Sequence, residues 1–454
     1  MKNISKVDIC ILAAGMGTRM KSKRPKALHT IAGKAMLAHL LHTSKALEPN
    51  RIHVVIGQGG DQIKDQFFDQ GINWIEQKEQ LGTGHAAMQG MHDFDDESRV
   101  LLLVGDAPLL RLSSMEKLLS EDCDLGVLTV DQDQPYNYGR IIKEGEQLKQ
   151  IVEEKDASEE QLKIKEINSG VMVAKARQLK SWLSKLNTDN AQGEYLLTDI
   201  VEIANTESAV VRAVKIRDPG EVLGVNTLVQ LATIEKYYQK RLSENLMEDG
   251  LHLIDPSRFN LRGELEVGSD CSFDINCIVE GKVVLGDNVK IGANCIIKDS
   301  TIGAGTEIKP NTMLDGASIA SDCRVGPFAR IRPGTKLSDE VAIGNFVEVK
   351  KSILGKGSKS SHLTYLGDAV IGKGVNIGAG TITCNYDGVN KHLTQIGDDV
   401  FVGSNTAFVA PVTIGRGATT GAGSTITKDI EEKSLGIARG KQRNIPGWNG
   451  PREE

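Results

Sequence analysis

An α/β domain, a long helix and a parallel β-helix, in that order, form the fold class this sequence predicts, and three observations carry the prediction. Apolar strand-like runs alternate with helical stretches from about residue 5 to 226. Apolar residues at 228, 231, 234, 238, 242 and 246 then keep a helical spacing. Beyond about residue 265, an aliphatic side chain returns every six residues.

In the first region, Val7–Leu12, Arg51–Ile56, 100–104 and 126–130 read as short buried strands, with helices over 36–47 and 113–119. Strand–helix alternation implies a mostly parallel sheet covered on both faces. In such sheets ligands bind beyond the carboxyl ends of the strands, where the segment after Leu12 and Asp106 both fall. The 228–247 stretch predicts a helix roughly 30 Å long at about 1.5 Å per residue. Gly250 follows as its terminator, and the segment reads as a rigid strut.

The six-residue period runs through Ile319, Val325, Ile331, Leu337, Ile343 and Val349, and again through Ile396, Val402, Phe408, Ile414, Thr420 and Ile426. This period suits neither a helix nor a simple amphipathic strand. It marks hexapeptide coils, each repeat giving one short strand and one turn around a narrow prism. Gly, Asn or a small polar residue permits the turn its positive φ. On the order of nine coils at about 4.8 Å each predict a prism roughly 45 Å tall. Of the 48 glycines, 29 lie after residue 250, which marks the change of architecture. The period is interrupted over about 355–370 and 383–395, and chemistry is expected at those interruptions.

Composition narrows the function. At 454 residues the chain holds two or three domains. Its 40% hydrophobic and 25% charged residues are those of a soluble globular protein. A net charge of −6 argues against a broad nucleic-acid-binding surface. No apolar run approaches the roughly 20 residues of a membrane span. Asp8 interrupts any signal-peptide core, so a cytoplasmic protein is expected. The seven cysteines stand singly, neither a disulfide framework nor a zinc site. Cys271, Cys277, Cys295 and Cys323 are expected to act as small hydrophobes in the repeat.

The string Leu12-Ala13-Ala14-Gly15-Met16-Gly17-Thr18-Arg19-Met20, with Pro25-Lys26 following, carries the N-terminal chemistry. Small residues let backbone N–H groups approach phosphates or a base, and Arg19 and Lys26 can neutralise a triphosphate. The glycine spacing is not a dinucleotide fingerprint, and no G-K-[ST] closes a Walker loop. Gln77 and Gly82-Thr83 suit close packing on a nucleobase edge. Asp106, ending Val104-Gly105-Asp106, offers a hard oxygen for Mg²⁺, with Asn226 as a second ligand or as a helix cap. In the repeat, His362 lies in the first interruption beside Tyr365 and before Asn376, where a His can take the proton of an amine near pH 7. Glu348 is placed either to orient His362 or to pair with Lys350.

The N-terminal residues resemble the sugar-1-phosphate nucleotidyltransferases. With the hexapeptide repeat, nearly the whole chain resembles the bifunctional N-acetylglucosamine-1-phosphate uridyltransferase/glucosamine-1-phosphate acetyltransferase family. The resemblance implies a Rossmann-like nucleotide-binding domain over 1–227, a linker helix over 228–250, and a left-handed parallel β-helix acetyltransferase domain with a C-terminal tail over 251–454. It implies that Leu12, Ala13, Ala14, Gly15, Gln77, Gly82 and Thr83 hold uridine, with Val104 and Gly105 beside them. Relatives often carry Tyr where Val104 stands, but its backbone is still available. Arg19 and Lys26 would hold phosphates, Asp106 and Asn226 would carry Mg²⁺, and Gly139, Glu153 and Asn168 would hold N-acetylglucosamine. Gln192-Gly193-Glu194-Tyr195 resembles a further wall of that pocket.

In the β-helix the resemblance makes His362 the general base. Arg332, Lys350, Tyr365 and Asn376 would bind glucosamine 1-phosphate. Asn385-Tyr386 would line the acetyl-CoA site, and Ala379, Ser404, Ala422 and Arg439 would contact that co-substrate. A homotrimer is implied, because one prism face offers no deep pocket. The implied reactions are acetylation of glucosamine 1-phosphate by acetyl-CoA, then attack of the product's phosphate oxygen on the α-phosphorus of UTP. The resulting UDP-N-acetylglucosamine supplies peptidoglycan and lipopolysaccharide precursors. A single-activity pyrophosphorylase with a structural β-helix is one alternative, opposed by His362, Tyr365 and Asn385-Tyr386. A non-catalytic scaffold is another, opposed by Arg19, Lys26 and Asp106.

Overall fold

The apolar run VDICIL forms strand Val7–Leu12, which pairs in parallel with Arg51–Ile56 on one side and Arg99–Val104 on the other. The register sets Leu12 opposite Val55 and Val104, so three carboxyl ends finish at one edge. In this computed structural model, which describes residues 7–68, 70–448 and 450, these strands centre a nine-stranded sheet. Glu166–Lys175 enters it antiparallel, against both Arg99–Val104 and Leu125–Asp131, so the sheet is mixed. One face packs Leu37, Leu40 and Leu41 from the helix Met36–Lys45, the other Trp182 and Leu183 from Ala176–Leu183. Covering both faces explains why these strands read as continuous apolar runs.

The chain divides into two compact units, Met1–Tyr238 and Gln239–Glu454. The helix Leu228–Glu248 contributes to both. In the first unit its Glu235 accepts the Ala32 N–H at 2.7 Å, and its Tyr238 meets the His39 ring edge-on. In the second, the buried Gln239 amide both donates to and accepts from the Leu261 backbone, at 2.8 and 2.9 Å. Gly250, at φ 101°, lets Leu251 N–H return to the Leu246 carbonyl and so ends the helix.

The second unit is a parallel β-helix. Successive residues of the six-residue period point inward from three faces in turn. Val325, Ile343 and Ile377 belong to one column, Ile331, Val349 and Leu366 to a second, and Leu337, Leu354 and Ile371 to a third. Cys295 donates its S–H to the Lys309 carbonyl and Cys323 to that of Ser338, and burial pushes these thiols up to about 12 and about 11. They are inert fillers, as the sequence suggests.

The two interruptions of the period differ physically. Through 355–370 the coils continue in register, with Ser360 between Ile343 and Ile377. Here the aliphatic column is broken but the backbone is not. At the second, Ile371 pairs directly with Ile396, and the intervening chain leaves the prism as a hairpin closed by the Tyr386–Lys391 bridge.

One corner turns through residues at positive φ: Asn276, Asn294 and Asn311, then Phe328, Phe346 and Leu363. Asn tolerates that conformation, whereas bulky apolar residues rarely adopt it. The last three are also exposed, and the two phenyl rings stack at 5.4 Å.

Ser360 is fully buried and its hydroxyl has no hydrogen-bond partner, whereas the hydroxyls of Thr383 and Thr420, also in inward columns, are bonded. Replacing Ser360 with Ala is expected to raise β-helix stability by about 1 kcal/mol, because it removes an unsatisfied polar atom. A denaturant midpoint that falls in this variant would refute that account.

Candidate active sites

Where the carboxyl ends of the central strands meet, a cleft of about 440 Å³ opens in the first unit. It is lined by Leu12, Ala13, Ala14, Gly15, Arg19, Lys26, Gln77, Gly82, Thr83, Val104, Gly105, Asp106 and Asn226. The backbone explains the small residues. Gly17 stands at φ 64°, and a Cβ there would come within 2.9 Å of the Lys26 side chain. Gly82, at φ 112°, starts the helix Thr83–Gly90, and a Cβ would meet the Tyr195 carbonyl at 2.5 Å. Of the Gln192–Tyr195 stretch, Glu194 lines this cleft, and the stretch is tied by Tyr195 N–H to the Leu81 carbonyl and by Gly84 N–H to the Tyr195 carbonyl.

Lys26 is the hinge of the cleft's charge. Its Nζ donates to Asp106 Oδ2 at 2.7 Å and to Asn226 Oδ1 at 2.8 Å. Asn226 arrives on a loop pinned by Val225 N–H to the Asp106 carbonyl at 2.9 Å. The helix-cap alternative for Asn226 goes instead to Thr227, whose hydroxyl accepts the Gln230 N–H. Arg19 is exposed and makes no ion pair among the described residues.

Gly139, Glu153 and Asn168 stand together outside the lining of that cleft. Asn168 N–H donates to the Gly139 carbonyl at 2.9 Å, and a Cβ on Gly139 would lie 3.5 Å from Glu153 Oε1. Burial raises the Glu153 carboxyl above its ordinary range, with Asp199 and Asp156 adding to the effect and the Thr198 hydroxyl opposing it. Thr198 and Asp199 escaped the sequence reading, as did Gln80, whose amide donates to the Ala14 carbonyl at 3.0 Å. No motif flags them; only the folded chain brings them here.

In the second unit His362 ends the strand Lys359–His362 and is exposed, with no side-chain hydrogen bond among the described residues. Directly above it Gly380 N–H reaches the His362 carbonyl, and Ala379, Ser404 and Ala422 stack in one column through Asn405 N–H to Ala379 and Gly423 N–H to Ser404. Arg439 closes the column by donating to the Ala422 carbonyl at 2.7 Å.

Arg332, Lys350 and Tyr365 lie on the next face, where the Tyr365 ring covers Gly367. Asn376 does not join them: it points outward from the His362 strand's face. Glu348 pairs with Arg332 Nη1 at 2.6 Å, so the expected partnership with His362 or Lys350 is replaced by this ion pair. The reason is register, which brings Glu348 beside the Arg330–Ile331 strand. Lys391, on the protruding hairpin and missed from sequence, holds the Lys350 ammonium below the ordinary lysine range, with Arg332 adding to the effect. Asn385 donates to Asp368, and Asp387 is held far below the usual carboxylate range by His392 and two backbone N–H groups.

A glycine-rich cleft at the carboxyl edge of an α/β sheet, followed by a hexapeptide β-helix bearing an exposed His, defines a nucleotidyltransferase unit joined to a hexapeptide acyltransferase unit. Family profiles agree: a MobA-like NTP transferase domain over residues 9–189, a GMPPB C-terminal domain over 261–345, and bacterial transferase hexapeptide repeats over 393–428. The chain is 52% identical, over 99% of its own length and 100% of the relative's, to the bifunctional protein GlmU of Marinobacter nauticus. It is 51% identical, over 99% of each chain, to the protein of the same name from Idiomarina loihiensis. A solved UDP-glucose pyrophosphorylase complexed with UDP-glucose aligns at 17% identity and a TM-score of 0.43, covering 52% of this chain and 99% of that one. The chain belongs to the bifunctional GlmU family. It is a uridyltransferase and acetyltransferase of UDP-N-acetylglucosamine synthesis.

If Glu153 binds the sugar as a carboxylate, sugar-phosphate affinity must follow its ionisation. Its folded pKa is raised, so affinity is present above that value and lost as pH falls through it, earlier than for an ordinary carboxyl. KM for N-acetylglucosamine 1-phosphate is expected to rise about tenfold per pH unit below that point, and Glu153→Gln to flatten the profile. An unchanged acid limb in Glu153→Gln would remove Glu153 from the site.

Proposed function

We propose that the two reactions run at two separate sites, each built from the residues described above. The observation that carries the uridyl half is the convergence of Lys26, Asp106 and Asn226 within 2.8 Å, beside a glycine-rich backbone cradle. In this reading Leu12–Gly15, Gln77, Gly82 and Thr83 hold uridine, while Val104 and Gly105 present backbone to it. Arg19 and Lys26 bind the triphosphate, and Gly139, Glu153 and Asn168 orient N-acetylglucosamine 1-phosphate. The chain's work is alignment of the sugar-phosphate oxygen with the α-phosphorus and neutralisation of charge as pyrophosphate departs.

The donor set fits Mg²⁺. Two neutral or anionic oxygens aim at one point that already holds an ammonium, and Mg²⁺ prefers few protein oxygens, completing its shell with phosphates and water. Asp106 and Asn226 would hold it, freeing Lys26 for phosphate. When bound, the ion supplies charge neutralisation across the phosphates.

In the β-helix His362 takes a proton from the amino group of glucosamine 1-phosphate as that nitrogen attacks the thioester carbonyl of acetyl-CoA; the C–N bond forms and the C–S bond breaks. Arg332, Lys350 and Lys391 crowd positive charge that Glu348 and Asp368 offset only in part, a repulsion that a bound phosphate relieves. Tyr365 and Asn376 bind the sugar. Ala379, Asn385, Tyr386, Ser404, Ala422 and Arg439 follow acetyl-CoA up the column from His362.

A homotrimer completes this second site. Asn376 stands on a different face from Arg332, Lys350 and Tyr365, so a neighbouring copy has to supply it. The exposed Phe328, Phe346 and Leu363, held at a strained corner beside His362, suit burial in that contact. We assign the enzyme to the cytoplasm, where its seven free cysteines stay reduced. No helix among the described residues is long and apolar enough to cross a membrane.

Replacing His362 with Ala should lower acetyl transfer by about 10²–10⁴-fold, the usual worth of a general base, while pyrophosphate release stays within about twofold. Asp106→Ala should reverse that pattern. Joint loss of both activities in either folded variant would defeat the assignment of separate sites. Coexpressed Lys350→Ala and Asn376→Ala chains should regain about a quarter of acetyl transfer sites by random assortment within trimers. No recovery would mean that one chain supplies both residues.

A further inference from the structure

The hydroxyl of Tyr138 accepts the Gly224 N–H at 3.1 Å across 86 residues of sequence. Gly224 begins the loop that carries Asn226, and Val225 N–H fastens the same loop to the Asp106 carbonyl at 2.9 Å. The loop lies against the acid itself: a Cβ on Gly224 would stand 3.7 Å from Asp106 Oδ2 and 3.8 Å from Asn226 Nδ2. On its other side Tyr138 adjoins Gly139, whose carbonyl accepts the Asn168 N–H and where a Cβ would lie 3.5 Å from Glu153 Oε1. The Tyr138 carbonyl in turn accepts from the buried Arg140 guanidinium, which fixes the loop from behind. Tyr138 thus forms a hydrogen-bonded bridge between the sugar-side group of Gly139, Glu153 and Asn168 and the oxygen pair of Asp106 and Asn226.

We propose that Tyr138 is a positioning residue that couples the sugar-phosphate pocket to the cation-holding pair, so that occupancy of either raises affinity at the other. The proposal rests on the reading of Asp106 and Asn226 as cation ligands and of Gly139, Glu153 and Asn168 as sugar ligands. Filling the sugar side fixes the 138–140 loop. Through the Gly224 hydrogen bond this holds Asn226 where its oxygen and that of Asp106 share one target. By linkage the effect is reciprocal.

The test uses the full-length chain and isothermal titration calorimetry with Mg²⁺, with and without saturating N-acetylglucosamine 1-phosphate. In the wild type the sugar phosphate should tighten Mg²⁺ binding about fivefold or more, within the usual range of coupling between sites. Tyr138→Phe keeps the ring and removes only the oxygen. It should reduce that coupling to less than about twofold and lower kcat for uridyl transfer about tenfold, with KM for UTP little changed. UDP binding in EDTA serves as the fold control, and Tyr138→Trp offers a second variant without the phenol oxygen. Wild-type coupling retained in Tyr138→Phe overturns the proposal, as does a wild type in which the sugar phosphate leaves Mg²⁺ affinity unchanged. Asp106→Ala separates the two failures: if it binds Mg²⁺ as well as the wild type, the cation reading itself falls, and the proposal with it.

Discussion

Parallel, in-register pairing of strands is the constraint on which both units depend. A parallel pair aligns equivalent ends, so whatever follows one strand is brought beside whatever follows its neighbour. In the first unit Leu12 is level with Val104, and the glycine-rich turn after one strand meets Asp106 after the other. In the second unit the same rule stacks coil on coil, so residues far apart in sequence, such as Ala379, Ser404 and Ala422, form a vertical column. A register slip of one residue would turn every inward side chain outward and dissolve both sites.

The candidate residues of the β-helix sit where this rule is kept by the backbone but relaxed by the side chains. Around His362 the interior column gives up an aliphatic residue for Ser360, a corner is turned by Leu363 at positive φ, and the next coil extrudes the Tyr386–Lys391 hairpin. Each departure costs stability locally: an unsatisfied hydroxyl about 1–3 kcal/mol, a bulky residue in the left-handed region of order 1–3 kcal/mol. The long ladder of coils on either side can carry that cost, because each coil contacts only its neighbours.

Charge is concentrated in two ways. In the cleft Lys26 is held between Asp106 and Asn226, in a part-buried ion pair with the carboxylate. On the β-helix Arg332, Lys350 and Lys391 press on one another, with Glu348 and Asp368 offsetting them in part. The first arrangement points two oxygens at one ammonium, and the second brings cationic groups together on an exposed face.

The sequence by itself determined the architecture and singled out most of the candidate site residues. The six-residue period required a prism, and the strand-helix alternation required a covered sheet with a site at its carboxyl edge. Residues such as Lys26, Asp106 and His362 stood out because a motif or an interruption framed them. Tertiary structure alone decided who meets whom. Glu348 went to Arg332 because register, not proximity in sequence, sets its neighbours. Tyr138 found Gly224, Lys391 found Lys350, and Thr198 found Glu153 across gaps that no local pattern spans. Even the two interruptions looked alike in sequence, and one proved an intact coil while the other was an excursion from it. Periodicity encodes which face a side chain takes. The partner waiting on that face is fixed only when distant strands pair and their ends are brought level.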